Sequence, residues 1–180
     1  MSAQPTFSNE PVAAHAIPAL TAIAFSGVSP SYRTLNMSVA ALVIVVVAGL
    51  ITAIRFIPWL TLPEPLIALY PVALVAVMTV GCLWLGYHWL ADPRVGYALR
   101  EQDISLTRGL VFRKVVCQPI LRVQHVQLKR GPLDRLAGLA CLQVFSAGGA
   151  MHTFEIPGLA VAQAEQIRQF ILDHKDLSAR

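Results

Sequence analysis

Two long apolar runs dominate the polarity pattern of the chain. Leu35 to Ile54 (LNMSVAALVIVVVAGLITAI) carries no charge, and Leu66 to Leu90 (LIALYPVALVAVMTVGCLWLGYHWL) carries a single basic side chain, His88, close to its end. At about 1.5 Å of rise per helical residue, either run crosses the roughly 30 Å hydrocarbon layer of a bilayer. Inside lipid every backbone N–H and C=O has to be satisfied within the segment, so two isolated runs of this kind are economical only as helices. The pattern predicts helices over 35–56 and 66–90, which form a membrane hairpin over 34–90. Between them, Arg55 to Pro65 (RFIPWLTLPEP) combines three prolines with Trp59, a composition suited to a turn at headgroup level.

Beyond Arg94 the period shortens to two. Ile104 and Leu106 alternate with Ser105 and Thr107; Phe112 and Val116 flank Lys114; Val126 and Leu128 alternate with His125, Gln127 and Lys129; Leu142 and Val144 enclose Gln143; Phe154 and Ile156 enclose Glu155. Such alternation predicts half-buried strands. Turn chemistry separates them at Glu101 to Asp103, Arg108-Gly109, Arg130 to Pro132, Ala147 to Gly149 and Pro157-Gly158. Short strands with short turns predict an antiparallel meander. After Gly158, the spacing of Ala160, Ala164, Ile167 and Ile171 describes one face of a helix, with Gln163, Glu165 and Arg168 on the other. The expected fold of 91–175 is a mostly-β domain, a small barrel or sandwich closed by a C-terminal helix that packs Phe154, Ile156 and Ile167 in its core.

The flanks are different. Residues 1–33, rich in Ala, Pro and Ser, read as a flexible N-terminal segment, in which the apolar piece Ile17 to Val28 lacks the polar face of an interfacial helix. Residues 176–180 read as a short tail. No Lys or Arg precedes Arg33, so the segment lacks the charged start of a cleaved secretory signal, and the first helix is expected to stay as an anchor.

Composition agrees with this division. A hydrophobic content of 56% in 180 residues is too high for an ordinary soluble domain, and the length is too short for a transporter with many spans. The formal charge of +4 is unevenly placed: bases concentrate between Arg94 and Arg135. Arg33, Arg94, Arg100 and Arg108 flank the hairpin on the side of both termini, against Arg55 alone in the loop. The positive-inside rule then predicts a multi-pass membrane protein with both termini in the cytoplasm.

The stretch RVQHVQLKRGPLDRLAGLACLQVFSAGGAMHTFEIPGL, Arg122 to Leu159, resembles the bacterial pleckstrin-homology-like (PH-like) domains of the YdbS-like membrane protein family. The matching pieces are the Arg-Val-Gln-His-Val strand start, the Gly-Pro-Leu-Asp-Arg turn followed by Gly138-Leu139-Ala140, the Ser146 to Gly149 hairpin, and Ile156 to Leu159 leading into the helix. The resemblance extends over the hairpin and implies a short N-terminal segment, two transmembrane helices, and one PH-like domain of about seven strands with a C-terminal α-helix. It also implies a partner, because such proteins are often encoded beside a larger membrane protein carrying several related domains. It implies no particular reaction.

Candidate chemistry is sparse. His125 and His152, with Cys117 or Cys141, lack metal-ligand spacing, and the three cysteines, with Cys82 inside a membrane run, form no disulfide framework. Ser105 and Ser146 have no nucleophile-elbow context, and Gly148-Gly149 has neither the length nor the lysine of a phosphate loop. No catalytic residue, cofactor or metal is expected. His88, among Trp84, Tyr87 and Trp89, reads as an interfacial anchor rather than a proton carrier. In the membrane runs Pro71 is a candidate kink, and Gly81 and Gly86 are candidates for close approach to Ala48 and Gly49. Leu133, Leu136 and Leu139 are expected to plug one end of the barrel.

The most informative polar feature is the basic set Arg113, Lys114, Arg122, Lys129, Arg130 and Arg135. Two functions fit it, an adaptor or assembly module that pairs with another membrane protein, or recognition of anionic lipid headgroups at the inner leaflet, beside the plainer reading that the bases solvate a surface and enforce topology. Nucleic acid is disfavoured, since the basic strands lack the clustered aromatics of single-strand binders.

Overall fold

The structure, a computed structural model, describes residues 24–146 and 154–178. The residues before Ala24, the Ala147 to Gly149 turn, His152 and the last two residues lie outside this description, as does the side chain of Phe154.

Strand β1 (Ser26–Gly27) precedes the hairpin of α1 (Pro30–Phe56) and α2 (Glu64–Ala91). Then follow β2 (Gly96–Leu99), β3 (Asp103–Arg108), β4 (Lys114–Pro119), β5 (Val123–Lys129), the short α3 (Pro132–Leu136), β6 (Leu139–Ser146), β7 (Phe154–Ala160) and α4 (Val161–Ser178). The seven strands form two antiparallel sheets, ordered β1-β2-β3-β4 and β5-β6-β7. This is the two-helix hairpin and helix-closed β domain that the pattern predicts.

Each membrane helix begins earlier than its apolar run, for a local reason. The Ser29 side chain accepts a hydrogen bond from the N–H of Ser31, and Pro30, which has no N–H to lose, occupies the first turn of α1. Pro65 does the same in α2, which starts at Glu64. Both helices show their large side chains outward, among them Leu42, Val45, Leu50, Val75, Val80 and Leu83, as lipid-facing helices do. Close approach occurs at Gly81, where an added Cβ would lie 2.7 Å from Ile44. The other small residues do different things: Gly49 and Gly86 face open space, and the buried position on α1 is Ala40. α2 passes through Pro71 as one helix.

The hairpin is inserted between two paired strands. Ser26 pairs with Tyr97 and Gly27 with Gly96, and the Val28 N–H reaches the Val95 carbonyl at 3.4 Å. Residues 26–33, read from composition as flexible, are therefore ordered: they supply a strand, then a helix start. A two-residue strand has no period to detect, which is why the pattern did not reveal it.

The core joins both sheets under α4. Ile104 and Leu106 from one sheet, Leu142, Val144 and Ile156 from the other, and Ala164, Ile167 and Ile171 from α4 are buried together with Ile120 and Val126. Gln163 on α4 donates to the Tyr97 hydroxyl at 2.6 Å, fastening the helix over β2.

Three local expectations are corrected. Phe112 is not a strand residue: it sits in the β3–β4 turn with 89% of its surface exposed. Leu139 is buried, whereas Leu136 is 86% exposed and Leu133 half exposed, so these leucines do not plug the barrel together. Pro157-Gly158 does not end β7. The register moves from Leu142↔Ile156 to Ala140↔Leu159, so β7 carries one extra residue there as a bulge. Gly158 adopts φ +68°, and Tyr32 packs directly against it, leaving no room for a side chain. α4 also continues to Ser178, beyond the predicted end of the domain.

Candidate functional site

Polar side chains meet at the helix–domain junction. Asp92, buried at the end of α2, accepts from Asn36 Nδ2 at 2.9 Å and lies 3.1 Å from His88 Nδ1. His88 thus anchors the interface through a carboxylate rather than standing alone in the membrane run. The Arg33 guanidinium lies 4.5 Å from the centre of the Trp89 ring, a cation–π contact between the helices at the same level. The Ser29 N–H donates to the Gly158 carbonyl at 2.9 Å, so β7 is tied to the start of α1.

All six residues of the basic set are exposed, but they do not form one patch. Arg113 and Lys114 stand at the β3–β4 turn, where Lys114 pairs across the ladder with Arg108. Lys129, Arg130 and Arg135 surround α3. There Arg130 Nε donates to the Leu139 carbonyl at 3.2 Å, and Asp134 accepts from the Gly131 N–H at 2.9 Å to cap the short helix. Arg122 precedes β5, at the opposite end of that strand from Lys129.

Both clusters lie at the end of the domain that meets the hairpin. β3 and β4 run from Arg108 and Lys114, beside Gly96, to Asp103 and Pro119, beside Leu99. α3 leads into Gly138, whose carbonyl accepts from the Val161 N–H at the end of β7, near the Gly158 contact with α1. Arg122 and the β2–β3 turn lie at the far end, where Ile120 N–H donates to the Gln102 carbonyl.

A cleft of about 470 Å³ opens at the hairpin end of the first sheet, lined by Phe25, Pro93, Arg94, Thr107, Leu110 and Arg113 among others. Arg94 donates to the Leu90 carbonyl and so also completes the end of α2. Among the described residues no carboxylate pairs with Arg94, Arg108, Arg113 or Lys114. Sequence reasoning counted Arg94 and Arg108 only as topology signals and did not single out Thr107. The available signal was the tripeptide Leu110-Val111-Phe112, apolar at the tip of a turn and bracketed by bases.

The remaining candidates are dispersed. His125 packs against Phe145, ring centres 5.7 Å apart, and among the described residues no three His, Cys, Asp or Glu side chains gather as a ligand set. Cys117 is exposed on β4, while burial pushes the Cys141 thiol up to about 12, with the Glu155 charge adding to the effect.

Comparison with known proteins agrees with this architecture. The model of the family described as the bacterial PH domain matches residues 16–175. The transmembrane protein YdbS of Bacillus subtilis (strain 168) is 32% identical over 75 residues, a match that covers 42% of this chain and 45% of that protein. Among solved structures, none matches.

Proposed function

Because the chain belongs to the bacterial PH domain family and carries two helices able to cross a bilayer, we propose that this membrane protein is a non-enzymatic adaptor or assembly module. It sits in the bacterial inner membrane as a multi-pass protein with both termini in the cytoplasm. The PH domain pairs with another membrane protein, one bearing domains of the same kind. The observation that carries this reading is the free outer edge of β4. The strand ends the four-stranded sheet, and among the described residues no strand pairs with its other side. An edge strand of six residues, exposed at Lys114, Cys117 and Pro119, offers backbone groups for strand addition. The β1–β2 pairing favours the same role, since it holds this edge in a fixed relation to the hairpin.

Cys117 supplies the test. A benzophenone maleimide attached there in the full-length protein, followed by illumination in native membranes, is expected to give a covalent adduct with a second membrane protein containing a PH-type domain. Adducts with lipid alone, or none, would remove the adaptor reading.

One observation favours a second reading, recognition of anionic headgroups. Lys129, Arg130 and Arg135 surround the exposed Leu133 and Leu136 at the hairpin end of the domain, the combination of bases and apolar side chains that suits a lipid surface.

A further inference from the structure

We propose that the cleft between Arg94 and Arg113 is a binding site for the phosphate headgroup of an anionic lipid in the leaflet that the hairpin enters. Thr107 supplies a hydroxyl to it, and the β3–β4 tip lies in the same interface. The inference rests on the headgroup reading and gives it a site that the basic set alone does not define.

Depth is the first argument. The uncharged run of α1 begins at Leu35, and the helix begins at Pro30. The first turn of α1 therefore projects about 7 Å beyond the hydrocarbon, which is the thickness of the headgroup layer. Gly27, Pro93, Arg94 and Val95, which line the cleft, lie at the same junction and hence at that level.

Chemistry is the second. Thr107 is only 3% exposed, lines the cleft, and its Oγ1 has no hydrogen-bond partner among the described residues. The hydroxyl is sealed from water and its lack of a partner costs stability, so a phosphate oxygen that reaches it through a small opening of the cleft wall is stabilised by satisfying it. Neither guanidinium flanking it has a paired carboxylate among the described residues: Arg113 can present a fork of donors to phosphate, and Arg94, with one nitrogen on the Leu90 carbonyl, offers its remaining donors.

The third argument is the tip itself. Gly109, at φ +114°, turns the chain so tightly that a side chain there would meet the Phe112 carbonyl. That turn displays Val111, 81% exposed, and Phe112, 89% exposed, between Arg108 on one side and Arg113 and Lys114 on the other. An apolar tip rimmed by bases is costly in water and matched to the boundary between headgroups and acyl chains. Its occupant is the bilayer already defined by the hairpin beside it.

The test uses the full-length protein in vesicles of phosphatidylcholine containing phosphatidylglycerol, extracted in mild detergent, with retained lipid measured by mass spectrometry. Retained lipid is expected to be enriched in phosphatidylglycerol, and Arg113→Gln should lower that enrichment about fivefold, the effect of removing one base near the surface. Thr107→Val, of nearly the same shape, should lower it as well, with melting unchanged or raised. A dye sensitive to polarity, placed by Phe112→Cys in a chain without its own cysteines, should emit as if in an apolar setting. If Arg113→Gln and Thr107→Val both match the wild type while neutralising Lys129, Arg130 and Arg135 abolishes enrichment, the headgroup reading stands and the cleft is wrong. If the wild type shows no enrichment, both fail. Loss on Arg113→Gln with Thr107→Val unchanged would reduce the cleft to a surface charge, and emission of a water-exposed dye would remove the tip from the interface. Either result overturns the proposal.

Discussion

The Asn36 amide donates to the Asp92 carboxylate at 2.9 Å and so joins the second turn of one membrane helix to the end of the other. The carboxylate is buried and has His88 as its second neighbour, so two polar side chains depend on it. Replacing Asp92 with Ala strands both partners. We expect a loss of about 1 kcal/mol, the net worth of hydrogen bonds to partly buried groups, read as a lower melting temperature in detergent. An unchanged melt would show that the junction is not a stabilising contact.

Gly158 gives a prediction about packing. In Gly158→Ala the new methyl collides with Tyr32, and the residue must also hold φ +68°. The backbone conformation alone costs roughly 1–2 kcal/mol for a residue with a Cβ. The double variant with Tyr32→Gly should recover the collision part and keep the backbone part. Equal stability of the single and double variants would mean that Tyr32 does not rest there.

Thiol chemistry separates two cysteines on strands of different sheets. In Cys82→Ala, iodoacetamide at mildly alkaline pH should modify Cys117, which is exposed, and spare Cys141, whose thiol burial pushes up to about 12. Denaturant should abolish the difference. The folded state holds the Cys141 proton more tightly than the unfolded chain, where the ordinary value is 9.0. Stability from this group is therefore complete below about pH 9 and is lost as pH rises towards 12.

Topology is checked at the loop. Trp59 is 85% exposed between the helices, and Trp59→Cys in a chain without its own cysteines should react in whole cells with a thiol reagent that cannot cross the membrane. A cysteine placed near either terminus should not. The reverse pattern would invert the orientation.

A deletion tests how the domain is closed. Because Val28 faces Val95, residues 29–94 can be replaced by Asn-Gly, whose backbone preference matches a tight hairpin. This chain should be soluble and melt cooperatively, and a fragment beginning at Asp92, which lacks β1, should melt lower. Identical melts would make β1 dispensable.

The features that were legible in the sequence are those with a period. The uninterrupted apolar runs located α1 and α2, and alternation at Ile104/Leu106 and Leu142/Val144 located β3 and β6, because each repeats long enough to outweigh local noise. Single contacts were not legible. Tyr32 meets Gly158, and Asn36 meets Asp92, across separations that no local pattern encodes. Alternation also misled at Phe112, where the apolar side chain belongs to a turn tip, since exposure to water and exposure to an interface look alike in one dimension. The candidate site was half visible: Arg113 and Lys114 stood out by charge, whereas Thr107 became notable only when its hydroxyl was found buried without a partner.

The pairing of Ser26 with Tyr97 and Gly27 with Gly96 has a consequence for biogenesis. The two strands lie on either side of the whole hairpin, so they meet only if the chain between them crosses the bilayer an even number of times. A molecule in which one helix failed to insert would leave β1 and β2 in different compartments and its sheet short of a strand. Completion of the first sheet therefore depends on both helices lying on the same path through the bilayer, and a chain with one helix left out would expose the edge of β2 that β1 otherwise covers.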